Sequence, residues 1–350
     1  MKELVEILKS DVIIIGLYPP PPGGIGIHIE RLAHYLKRED IKFHVFNHGN
    51  FRNEFVTPTN RSYFWWINFF IYNLRVRRKL KLSRKLFHFH VLSFLHYPFL
   101  LLFSKLVTDN ILITIHNENF FLYPFLKKLS FLFLIKRISC KRVISVSKKI
   151  NDMLISESVN SIFLNAYISI PYKKKRISKN IKFFYIAMNM WRFTKDQIYR
   201  YGADLVFSYM KEFPDKYKLH IYVSDENKSV SLKSLTNEFK FLDDIHNDVN
   251  IIFGRNLIEY IGNYDIFFRP NRSDGFGVSI LEALYSGIPV IASDTCVRPE
   301  GCIQFKSGDY ESFKQKIKLI EGRETKINFP REKGNQTKIM EMYKEFLGEK

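Results

Sequence analysis

The 350 residues suffice for two domains of about 100–200 residues each. At 46% hydrophobic and 25% charged, the composition is that of a globular protein with a real core. The formal net charge of +19 favours phosphate-bearing partners: nucleic acid, nucleotides or anionic lipid. Charge alone does not choose among them, and a compositional bias toward Lys, Ile, Asn and Phe accounts for much of it equally well. Three cysteines, Cys140, Cys296 and Cys302, contain no Cys-x-x-Cys pair, which excludes a disulfide framework, argues against a zinc site and fits a reducing cytosol.

The start, "MKELVEILKSDVIIIG", carries acids and lacks the layout of a signal peptide, so a cytoplasmic location is expected. "DVIIIG" (11–16) reads as a buried strand. "IGIHIERLAHYLKRE" (25–39) follows, with Ile25, Ile29, Leu32, Ala33 and Leu36 at helical spacing, and "IKFHVF" (41–46) is the next strand. "YFWWINFFIYNL" (63–74) and "LSFLHYPFLLLFSKLV" (92–107) look membranous, but a spanning helix needs roughly 20 apolar residues, so both are read as parts of a soluble fold. Between them lies "RVRRKLKLSRK" (75–85). Beside the aromatic run it has three readings: a platform for single-stranded nucleic acid, a lipid interface, or the solvated end of a buried helix.

Strands are expected again at 85–92, 111–116 and 142–147. His88 and His90 alternate with apolar residues in "FHFH"; a metal pair would need further ligands, and none has suitable spacing. Ser147 before "KKINDML" is read as a helix N-cap, since no nucleophile motif surrounds it. "PYKKKRISKN" (171–180) reads as a linker. The alternation then restarts, with strands at 182–188, 218–224, 249–253, 264–268 and 289–293, helices at 196–211 and 256–262, and a last helix at about 332–347. The expected fold is α/β: two Rossmann-like domains facing across a cleft, spanning 1–170 and 178–330. Residues 331–350 are expected to form a helix packing back toward the first domain.

The densest signal is "DGFGVSILEALYSGIPVIASD" (274–294), which reads as loop, helix, loop, strand. Gly275 and Gly277 permit close approach of backbone to a ligand, and a helix starting near Gly277 would turn its free N–H groups toward an anion such as a diphosphate. Val278, Leu281 and Leu284 are expected to pack the helix on the sheet, with Glu282 on a different face. Gly287 ends the helix, and Pro289 prevents its continuation. Glu282 can accept two hydroxyls, as from a ribose, and Asp274 can accept sugar hydroxyls beyond the diphosphate. Read without a ligand, the same stretch is a capped surface helix behind a glycine-rich loop.

This segment resembles the carboxylate-x7-carboxylate motif of the family 4 retaining glycosyltransferases, also called group 1, with Asp274 for the first glutamate and Glu282 for the second. The resemblance implies the GT-B arrangement, no cofactor and no metal. The partners it implies are a nucleotide-diphosphate sugar and a glycan or lipid-linked glycan acceptor, as in surface polysaccharide synthesis. It places Asp274 by the donor sugar and gives Phe276, Gly277 and Val278 backbone N–H groups toward sugar and phosphate. Glu282 would hold the ribose. His116, ending "ILITIH", matches a histidine near the reacting sugar, and Gly23, Gly24 and Gly26 of "GGIG" match a loop facing diphosphate and acceptor.

One departure concerns the leaving group. The family carries an arginine and a lysine at the start of its second half; here Gly202 fits the glycine after that lysine, but Tyr201 replaces the lysine itself. Arg192 or Lys195 would then supply the charge, with Arg200 a weaker candidate. Arg298 in "RPEG" (298–301) either reaches the same place or belongs to a structural turn. The alternatives are another GT-B nucleotide-sugar enzyme, such as a 2-epimerase, and a nucleic-acid-binding protein. No recognition-helix, zinc-finger or RNP pattern supports the latter, and nucleic acid is not an expected partner. An anionic membrane surface, met peripherally on the inner face, is.

Overall fold

The structure, a computed structural model, describes residues 10–19, 24–48, 52, 56–58, 63–76, 82–91, 94, 96–116, 124–165, 184–225, 229–235, 245–274, 277–320 and 335–348. The expected linker, Gly23, Gly275, Phe276 and the basic residues Arg77, Arg78, Lys79 and Lys81 lie outside them. The chain divides into two compact units, the last helix belonging to the first.

The first unit is a seven-stranded parallel sheet: β1 (Val12–Gly16), β2 (Phe43–Asn47), β3 (Val56–Pro58), β4 (Leu86–Val91), β5 (Ile111–Ile115), β6 (Arg142–Ser145) and β7 (Ser161–Phe163), in the order β3-β2-β1-β4-β5-β6-β7. Its strands are apolar on both faces, as a sheet covered on both sides requires. Ile13, Ile15, Phe87, Phe89, Ile111 and Ile113 point to one face. There they meet α2 (Tyr63–Val76), α3 (His96–Leu106), α4 (Phe125–Arg137) and α5 (Lys148–Ser156). Val12, Ile14, Val45, Leu86 and Leu112 point the other way, to α1 (Gly24–Arg38) and the final helix, Gln336–Leu347. That helix is anchored by Tyr343, fully buried, whose hydroxyl bonds His88 Nδ1.

The second unit is a six-stranded parallel sheet: β8 (Phe184–Met190), β9 (Tyr217–Val223), β10 (Val249–Phe253), β11 (Ile266–Arg269), β12 (Val290–Ser293) and β13 (Ile303–Phe305), in the order β10-β9-β8-β11-β12-β13. One face packs on α6 (Lys195–Tyr201), α7 (Ala203–Glu212) and α9 (Tyr310–Ile320); the other packs on α8 (Val278–Tyr285). The final helix, after these, is α10. In both sheets the strand order reverses beside the first strand, at β1/β4 and at β8/β11, the crevices where such folds take ligands.

Several expectations change. The helix expected at 196–211 breaks at Gly202, whose φ of 71° and contact with the backbone of Pro270 exclude a side chain: a Cβ there would lie 2.1 Å from the Pro270 carbonyl oxygen. The segment 256–262 forms two 3-10 turns, Leu257–Glu259 and Ile261–Asn263, in place of one helix. Strands β3, β7 and β13 were not expected; at three residues each they carry no readable period. Both runs that looked membranous are helices on the first sheet, and no described helix is long and apolar enough to cross a membrane.

Candidate active site

At the end of β4 and β5, four histidines converge. His88 and His90 alternate with Phe87 and Phe89, so they share the face opposite the aromatic core. Parallel pairing puts Thr114 beside His90, and His116, two residues on, falls on that same face. His90 Nδ1 and His116 Nε2 are 2.8 Å apart, and the rings stack at 5.1 Å. From α1, His28 approaches both, at 5.5 and 5.4 Å between ring centroids. His88 is held from the other side by Thr114 Oγ1 (2.7 Å) and Tyr343.

Burial, and then His28 nearby, push His88 and His116 well below the ordinary histidine value. His90 is pushed down by burial and then by His88, His116 and His28. His88, His90 and His116 are therefore neutral at physiological pH. One of His90 and His116 must donate and the other accept, so their tautomers are coupled. His90 Nε2 is buried without a partner among the described residues. The sequence offered no third ligand for the histidine pair. Here strand register and α1 bring ligand atoms of His28, His90 and His116 within 4.8 Å of one another, so these three could also share a cation.

The described part of the glycine motif is helical rather than a loop: Gly24 and Gly26 lie in the first turn of α1, while Gly23 lies outside the described residues. Close packing explains the second, because a Cβ on Gly26 would touch Pro19 at 3.4 Å.

In the second unit the motif around Asp274 forms an ion-pair clamp. β11 ends at Arg269, whose Nε and Nη2 reach Asp274 Oδ2 and Oδ1 at 2.7 and 2.8 Å. Arg298, from the loop after β12, adds Nη1 to Asp274 Oδ2 at 2.6 Å. The three side chains are 13%, 8% and 0% exposed for Arg269, Asp274 and Arg298. Burial alone would raise the Asp274 carboxyl, but Arg269 and Arg298 hold it well below the usual range. Burial likewise opposes the charge on Arg269, and Asp274 more than restores it.

The remaining donors are fixed as well. Arg269 Nη1 reaches Asn189 Oδ1 at the end of β8 and Ser279 Oγ on α8; Arg298 Nε donates to the Ser293 carbonyl at 2.8 Å. Two guanidinium groups and one carboxylate leave a net positive charge.

That charge lies against the head of α8. Gly277 is its N-cap at φ 74°, and a Cβ there would meet Arg298 Nη1 at 3.0 Å and Arg269 Nε at 3.1 Å. Only glycine allows both the left-handed turn and this approach. Ser286 is the C-cap and Gly287 follows at φ 79°, as read from the sequence.

The packing of α8 differs from expectation. Ile280, Ala283 and Leu284 carry it onto the sheet, with Leu281 also buried, and Val278 is only half-buried. Glu282 is four residues after Val278, hence on the same face and not a different one; it is 9% exposed.

The residues expected to replace the missing lysine have these settings. Arg192 is paired with Asp225 at 2.6 Å, and Lys195 is exposed at the start of α6. Tyr201 is half-buried; burial raises its hydroxyl, and Arg269 and Asp274 are close enough to act on it. The cations acting on Tyr201 are thus Arg269 from β11 and, more weakly, Arg200 of α6, the weaker candidate of the sequence. Both readings of "RPEG" hold: Arg298 reaches the site, and Pro299 closes a turn to Cys302 N at 3.3 Å. Ser147 Oγ accepts from Ile150 N, as an N-cap does.

A family model described as glycosyl transferases group 1 matches residues 193–337, and one described as glycosyltransferase family 4 matches residues 22–161. The chain is similar to the O-antigen chain mannosyltransferase RfbU of Salmonella typhimurium, 26% identical over 230 residues; the match spans 60% of this chain and only 60% of that relative's length. A shorter stretch, 35% identical over 72 residues (21% of this chain, 18% of the other), matches the N,N'-diacetylbacillosaminyl-diphospho-undecaprenol alpha-1,3-N-acetylgalactosaminyltransferase of Campylobacter jejuni. Among solved structures, Anabaena Alr3699/HepE in complex with UDP and glucose superposes with a TM-score of 0.62 at 10% identity, covering 96% of this chain and 95% of that one. The likeness is one of fold: two Rossmann-like domains of the GT-B class.

Proposed function

The chain belongs to the group 1, family 4 glycosyltransferases of GT-B type, and from that premise we propose that it moves a hexosyl group from a nucleotide-diphosphate sugar to a glycan or lipid-linked glycan, with retention of configuration, in surface polysaccharide synthesis at the inner face of a membrane. The names of the Salmonella and Campylobacter relatives support the acceptor class, and the Anabaena complex supports the donor class. The observation that carries the reading is the Arg269–Asp274–Arg298 clamp against the head of α8. A leaving diphosphate gathers negative charge as the glycosidic bond breaks, and fixed guanidinium groups with free helix N–H groups stabilise it without reorganising.

In this reading Asp274 acts through the arginines as well as toward the sugar: it holds both guanidinium planes in place. The backbone of Phe276, Gly277 and Val278 meets sugar and phosphate, and Glu282 accepts the ribose hydroxyls. Arg192 and Lys195 stand further out as donor-side cations, Gly23, Gly24 and Gly26 serve the diphosphate and acceptor, and His116 stands by the reacting sugar. Transfer by this route needs no metal, the guanidinium groups supplying the positive charge.

The test is a panel of UDP-, GDP- and other nucleotide sugars, read first as thermal stabilisation and then as nucleoside diphosphate released on adding acceptor. A true donor raises stability by RT ln(1 + [L]/Kd). No stabilisation by any nucleoside diphosphate, or loss of turnover with chelator, overturns the donor site or the metal-free route respectively.

A further inference from the structure

The two layers of helices on the first sheet differ in what they show to the outside. On one side α2, α3 and α4 lie next to one another. Phe69 of α2 stacks on Phe103 of α3 at 5.9 Å, and Tyr97 of α3 meets Phe131 of α4 edge-on at 4.9 Å. Their inner residues fill the core, yet their outer residues are apolar too. Ile67 on α2 is 52% exposed and Leu102 on α3 is 53% exposed. The stripe is strongest on α4, where Phe125, Leu126, Leu129 and Phe133 are 73%, 75%, 48% and 53% exposed. Spaced by three and four residues, they form one ridge opposite the buried Phe131 and Ile135.

On the other side of the same sheet, α1 and α10 expose no large hydrophobic residue among those described. The difference extends to charge. The sequences of α2, α3 and α4 contain no acid; they carry Arg75, Lys105, Lys127, Lys128, Lys136 and Arg137. Helices α1 and α10 mix both signs, with Glu30, Glu341 and Glu345 among their lysines and arginines. Arg137 Cζ lies 3.6 Å from the Phe133 ring centre and Lys127 Nζ 5.4 Å from that of Phe94, so cations and apolar tips share one surface.

A soluble helix buries its apolar stripe or keeps it narrow; a stripe left outside, rimmed by an excess of cations, with Lys136 paired to Glu157 after α5, needs a partner that is apolar beneath and anionic above. At 11–14 residues these helices are too short to span the roughly 20 residues of a bilayer core, but they suit its surface. We propose that the outward face of α2, α3 and α4 docks in the interfacial layer of an anionic phospholipid bilayer, with the Phe125–Phe133 ridge of α4 inserted. The sequence did not single out this apolar anchor, because apolar residues of α4 fall both toward the sheet and away from it and only packing shows which of them stay outside.

The experiment is flotation of the full chain with vesicles of phosphatidylcholine alone or mixed with phosphatidylglycerol, without donor or acceptor, so that its outcome is independent of the transferase reading. The chain should float with the anionic vesicles at low salt, less at high salt, and hardly with neutral ones. Lys127→Gln with Lys128→Gln should lower partitioning about thirty-fold, each basic residue near such a surface contributing roughly a factor of five. Leu126→Ser, Leu129→Ser and Phe133→Ser together should lower it at least about a hundred-fold, with urea midpoint and circular dichroism unchanged because these side chains are exposed.

The proposal fails if wild type stays unbound with anionic vesicles at low salt, or if both variants float like wild type. It also fails if wild type is a dimer that the serine variant dissolves while neither floats; the ridge would then be an interface between copies. Should the serine variant lose its fold, the lysine pair decides alone.

Discussion

Where the strand order reverses in the first unit, between β1 and β4, the fold buries imidazoles; at the equivalent point in the second, between β8 and β11, it buries two guanidinium groups and a carboxylate. The imidazoles survive burial by giving up their charge, each depressed by burial and by its neighbours. The clamp survives because both guanidinium groups share the Asp274 carboxylate and have hydrogen-bond partners for other donors, with one positive charge left over. A neutral cluster tolerates the loss of a member at the cost of a hydrogen bond; a paired one does not, because removing a partner strands the others without water.

The largest effect expected from that contrast is Asp274→Asn. With both guanidinium groups left unpaired, stability should fall by about 3–5 kcal/mol in urea unfolding. His90→Phe, which strands no charge, should cost about 1 kcal/mol, the worth of its bond to His116. Equal costs for the two would erase the distinction.

Next comes chemistry. His116→Ala should lower kcat about a hundred-fold, the scale of a positioned proton-transfer or polar group, with KM for the donor little changed. A change confined to KM would make it a binding residue. Glu282→Ala should show the opposite split, raising the donor KM at unchanged stability.

A smaller loss is expected at the corner that brings Tyr201 toward Arg269. Gly202→Ala, at φ 71° and against the Pro270 carbonyl, should cost about 1–3 kcal/mol. An unchanged urea midpoint would show that the corner relaxes.

The gentlest separation is by pH. The histidines are depressed in the folded chain, so below about pH 6.5 the unfolded chain binds more protons. Stability is then full above that pH and declines as pH drops toward 4, where His96, pushed to about 4 by burial, also takes its proton. Asp274, held low, adds its loss only below about pH 4. Urea midpoints at intervals between pH 7.5 and 4 check the order; a flat profile down to 4 would mean the imidazoles are not buried as neutral groups.

Much of this site could be read in advance. Gly277, Gly287 and Pro289 mark the ends of α8 by their own backbone preferences, and Ser147 marks the start of α5. Asp274 and Glu282 stood out by spacing. What escaped was the company Asp274 keeps. A signal existed: Arg269 ends an apolar strand, and an arginine entering a core demands a carboxylate. Nothing in "IGIHIERL" announced that His28 would join the strand histidines, because a helix position says which side is apolar and not which strand end it faces.

Local pattern decided the elements: alternation, helical spacing, glycine and proline act through neighbours a few residues away, and these were enough for a parallel α/β chain in two halves. Only tertiary structure decided which groups meet. His90 finds His116 across 26 residues, Arg298 finds Asp274 across 24, and Tyr343 finds His88 across 255. Such pairings follow from strand register and helix docking, in which the burial of the whole sheet outweighs any single contact, so no short stretch of sequence encodes them.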